Sequence, residues 1–62
     1  MSKKRITELK TQLGGLTNEY EAIQEELEEL DSEDPYVEVL VEQLQSLEIE
    51  MGKIEEELEL LR

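Results

Sequence analysis

Asp31-Ser32-Glu33-Asp34-Pro35 separates two runs of one hydrophobic rhythm, and its effect on their phase decides the fold. Before it, Ile6, Leu9, Leu13, Leu16, Tyr20, Ile23, Leu27 and Leu30 alternate steps of three and four residues, the a/d spacing of a coiled-coil seam. After it, Val37, Leu40, Leu44, Leu47, Met51, Ile54, Leu58 and Leu61 repeat the same steps. Each half therefore reads as an amphipathic helix. The phase breaks between them: Leu30 is a d position, which would make Val37 another d, yet Leu40 and Leu44 make it an a. One unbroken helix would swing its second apolar stripe away from the first, so the chain is expected to turn back on itself here.

The turn residues suit that role. Pro35 fits the first turn of a helix, where its missing N–H removes no hydrogen bond, and the carboxylate of Asp34, or the hydroxyl of Ser32, is placed to cap the free amides. Acidic residues there also complement the positive end of the helix dipole. The expected fold is all-α: an antiparallel two-helix coiled-coil hairpin over residues 1–62, with helix 1 about 3–31, a turn about 32–34 and helix 2 about 35–61.

Antiparallel folding supplies its own check. If layers join residues whose numbers sum to 67, then Ile6 meets Leu61, Leu9 meets Leu58, and so on inward until Leu30 meets Val37. Every layer fills with two apolar side chains, one a and one d. On the flanks Arg5 comes within reach of Glu57, and Lys10 of Glu55. Each arm should be roughly 45 Å long at about 1.5 Å per residue.

So short a chain buries little, and it has no Cys for a disulfide and no His to join carboxylates around a transition metal. Ordering costs about 1–2 kcal/mol per residue, which leaves a lone hairpin marginal. Self-association is the remaining source of stability, and a dimer of hairpins would be a four-helix bundle. Outside the seam, Gly15, Ala22, Val39, Ser46 and Leu60 share one edge that is less charged than the rest. They form the candidate self-association face.

Gly14 and Gly15 cost the helix about 1 kcal/mol each relative to Ala. They would permit a break with Thr17 capping a new start, but Leu13 and Leu16 keep the seam's step across the pair, which argues for continuity. Gly15 also falls level with Gly52, so the rod should be thin at that height.

Charge limits the function classes. The net charge is −12, with seventeen acids against Lys53 alone between residues 19 and 59. Phosphate backbones and anionic membrane surfaces are repelled by such a chain, because binding there needs cations to displace counterions. No apolar run approaches membrane-span length, and no apolar h-region follows Lys3-Lys4-Arg5. The expectation is a cytoplasmic protein, consistent with the lack of Cys.

Catalysis has no visible means. The Glu55-Glu56-Glu57 and Glu59 carboxylates spread over several helix faces, D-S-E-D lacks the loop length and central Gly of an EF-hand, and Gly14-Gly15 lacks the pattern of a phosphate loop. Paired catalytic carboxylates also need a shielded cleft, which a two-helix rod does not provide. No catalytic, metal or cofactor site is expected. The sequence points to a non-enzymatic interaction module, a homodimer that binds another protein with a basic surface. The alternative is an acidic inhibitor that imitates nucleic acid before a DNA- or RNA-binding protein.

Overall fold

A computed structural model describes residues 2–61; the two ends of the domain read over 1–62 lie outside the described residues. It contains two α-helices, α1 (Ser2–Glu29) and α2 (Tyr36–Leu60), packed against each other in a rod of 49 × 15 × 11 Å. The chain is an all-α helical hairpin. No helix is long and apolar enough to cross a membrane among the described residues.

Burial follows the seam. Leu9, Leu40 and Leu47 are buried, Leu9 and Leu40 to 1% exposure, and the other thirteen a and d positions are half-buried. Only Asp34 and Glu57 join them among the described residues; the rest of the surface is exposed. Two helices enclose a line of contact rather than a volume, so most seam side chains keep one flank toward water.

Helix α1 stops at Glu29, two residues short of the expected end, and the reversal occupies residues 30–35. Its last turn tightens, with the Leu30 N–H donating to the Leu27 carbonyl at 3.2 Å, and a further turn closes as the Asp34 N–H donates to the Asp31 carbonyl at 3.0 Å. Asp34 then starts α2 in two ways. Its Oδ1 accepts the Tyr36 N–H at 2.9 Å, and its carbonyl accepts the Val37 N–H at 3.0 Å, with Pro35 helical between them at φ −59° and ψ −22°. Asp34→Ala is expected to cost about 1 kcal/mol and to lower the melting temperature by roughly 4–8 °C, which thermal circular dichroism measures.

The glycine pair does not interrupt α1, which is continuous through Gly14 and Gly15 with no glycine at positive φ. Thr17 starts no new helix, because its hydroxyl donates back to the Leu13 carbonyl at 2.8 Å. Thr7 and Thr11 make the same backward bond, to the Lys3 and Thr7 carbonyls.

Candidate interaction surface

The edges of the rod differ because the heptad places g and c positions on one flank of the seam and e and b positions on the other. On the g/c edge Arg5 Nε donates to Glu57 Oε2 at 2.8 Å and Arg5 Nη1 lies 3.5 Å from Glu8 Oε2. The bond to Glu57 raises the Arg5 pKa above its ordinary value, with the charges of Glu57 and Glu8 adding to it. Lys10 forms no ion pair with Glu55 among the described residues. The register that seats Arg5 against Glu57 sets Thr17, not Lys10, opposite Glu55 on the other edge.

Tyr20 occupies a seam position but sends its hydroxyl out over the e/b edge, donating to Glu48 Oε1 at 2.8 Å. That bond, together with partial desolvation and the Glu48 charge, raises the phenol above its usual 10.0. A raised folded-state pKa means that the bond's contribution is complete below pH 10 and is lost as the pH climbs through the raised value. The melting-temperature gap between the wild type and Tyr20→Phe should therefore hold steady below pH 10 and close as the pH rises beyond it. A gap that stays constant would deny the bond.

The five residues of the candidate face are all exposed, and all are c positions. Two of the rod's grooves run along this edge and meet at Glu19 and Glu50. The first is floored by Leu16 and Ile54, with Gly15 and Lys53 on its walls. The second is floored by Ile23 and Leu47, with Val39 and Ser46 on its walls. The structure thus brings Gly15, Val39 and Ser46 to one continuous trough. Ala22 lies on the same edge without lining it, and Leu60 stands 85% exposed at the open end.

The opposite edge is built from e and b positions. Its groove, between Leu13 and Leu58, is walled by Gly52, Glu55, Glu56 and Glu59. Gly15 and Gly52 are level along the rod but open onto opposite edges, and a methyl group on either would meet nothing within 4 Å. Away from both edges, Ile49 is 61% exposed on the back of α2, while Tyr36, at the turn end of the g/c edge, is 45% exposed.

Among the described residues no group of three or more His, Cys, Asp or Glu side chains is placed to hold a metal ion. No buried side-chain polar atom lacks a partner among them.

The hairpin turns the uneven charge of the sequence into two unlike ends of the rod. The turn end, residues 25–42, carries nine acids and no cation. At the open end, residues 2–15 and 52–61, five cations meet five acids. The positions were readable from the start, but their grouping becomes visible only when the hairpin brings the two chain ends together.

No family model matches the chain, and no curated protein or solved structure matches it either, so any reading of its function rests on its own residues.

Proposed function

We propose that the protein is a non-enzymatic interaction module: an acidic hairpin that self-associates into a four-helix bundle and, in that form, presents its outer surface to another protein. The observation that carries this reading is the incomplete seam. Thirteen of sixteen core positions remain half-exposed in one hairpin, beside a trough walled by Gly15, Val39 and Ser46. Covering that trough removes more apolar surface from water, at about 25 cal/mol per Å². A reducing cytoplasm suits a chain with no cysteine.

Equilibrium sedimentation at low micromolar concentration tests the first half of the reading. Particles of twice the 7.3 kDa chain mass support it, and fully helical single chains reject it. The partner is expected to carry a basic surface, because the rod's acids favour cations.

The turn end supports a second reading, an inhibitor that imitates nucleic acid. Nine acids without a cation lie there, all but Asp34 exposed. Under this reading a DNA- or RNA-binding partner is released by added DNA and by salt. A partner retained through both treatments would exclude it.

A further inference from the structure

We propose that the second chain of the dimer seats on the g/c edge end for end, with its turn beside the open end of the first, pairing Gly15 with the partner's Ala22 and Val39 with the partner's Leu60. This rests on the self-association reading above and adds to it the occupied face and the direction of the occupant.

The order of the c positions argues for that direction. From the open end, the stripe on α1 reads Glu8, Gly15, Ala22, Glu29, and that on α2 reads Leu60, Lys53, Ser46, Val39. A two-fold axis across the middle of the rod sets each stripe against its own reverse. Gly15 then meets the partner's Ala22, which lets the backbones approach closely, while Val39 meets the partner's Leu60. The polar Ser46 meets the partner's Lys53.

Two hairpins pointing the same way would pair the stripes differently. Glu29 would fall against the partner's Val39 and Glu8 against the partner's Leu60, each a carboxylate drawn from water onto an apolar side chain. The reversed arrangement instead sets Glu8 near the partner's Glu29 at the rim, where Arg5 already stands 3.5 Å from Glu8. Repulsion at the middle does not choose between them. Glu19 and Glu50 meet their own counterparts in one arrangement and each other in the second.

Charge gives a separate argument. Helix α1 has no acid in its first turn and no base in its last, the wrong sign at both ends for its dipole. Within the hairpin, Glu57 answers Arg5 at the open end, but the turn end is acidic on both helices. A reversed neighbour brings Lys3 and Lys4 to that acidic end, and its own acidic turn to the basic start of α1. A neighbour in the same direction would stack two clusters of nine acids side by side. Only reversal brings opposite charges together at both ends.

The chain has no cysteine, so a single Ser32→Cys substitution in the exposed turn gives a unique site for a spin label. Pulsed dipolar spectroscopy then reads the distance between the two labels of a dimer. The expected distance is close to the rod length of 49 Å. Labels within roughly 20 Å, about two helix-packing distances, would overturn the proposed direction while leaving the dimer itself standing. A monomer by sedimentation would overturn both.

A second variant tests the face. Nothing lies within 4 Å of a methyl group at Gly15 in the hairpin, so Gly15→Gln should keep or raise helicity. It should also weaken the dimer by roughly tenfold or more through overpacking against the partner's Ala22. An unchanged dissociation constant would place the contact on some other face and overturn the proposal.

Discussion

Leu40→Asp is expected to abolish the cooperative thermal transition of this chain and most of its helical circular dichroism at 25 °C. Leu40 is 1% exposed, and in the seam register it faces Leu27 one layer from the turn. Shortening a buried Leu to Ala costs about 2–5 kcal/mol, and an unpaired buried carboxylate costs several more. A domain this small has a total stability of roughly 3–9 kcal/mol at ordinary values per residue. The substitution therefore removes most or all of it. Ile49→Asp is the matched control, because Ile49 is 61% exposed on the back of the same helix and should tolerate a carboxylate with little change. Equal loss of helicity in both variants would mean that α2 is disrupted by an added charge anywhere, and the seam would lose its standing as the source of stability.

The hairpin could be read from the sequence because its information is redundant. Sixteen apolar positions repeat one spacing, the phase shift at residues 31–35 demands a reversal, and an antiparallel pairing fills every layer. The structure shows two packed helices with partial or full burial at each of those positions. Details that depend on single residues were less legible. Leu30 continues the apolar rhythm, but its backbone already belongs to the reversal, because periodicity reports which face a side chain needs and not where the backbone stops coiling. Lys10 and Glu55 share the e/b edge but are offset along it in the register that seats Arg5 against Glu57, so they form no ion pair among the described residues. Tyr36, an aromatic beside the turn, stands 45% exposed because it is a g position and not part of the seam. Gly15, Val39 and Ser46 could be singled out with Ala22 and Leu60 as uncharged positions beside the seam, but not as walls of a trough. That requires knowing how far Leu16, Ile23, Leu47 and Ile54 remain open when only two helices are present. What covers the trough is decided by residue pairing and charge, which no periodicity records.

The glycines give the second large effect, in the opposite direction. Gly14→Ala combined with Gly52→Ala is expected to stabilise the chain by about 2 kcal/mol, from about 1 kcal/mol for each helix-interior glycine replaced, and to raise its melting temperature by roughly 10 °C. Both residues are exposed, neither has a positive φ, and an added methyl group meets nothing within 4 Å at either. The native conformation therefore accepts alanine without strain, and the gain comes from restricting the unfolded chain. Both are b positions, on the e/b edge away from the proposed dimer contact, so the gain should be the same for a lone hairpin and for a dimer, and the dissociation constant should not move. Gly15 differs: one residue further along the same helix, it opens onto the trough, where extra bulk is expected to improve the helix and damage the dimer. Adjacent glycines would thus separate helix propensity from association. A fall in melting temperature for the Gly14 and Gly52 variant would show that the e/b edge is covered in solution, and it would move the partner's seat to the face where these two glycines lie.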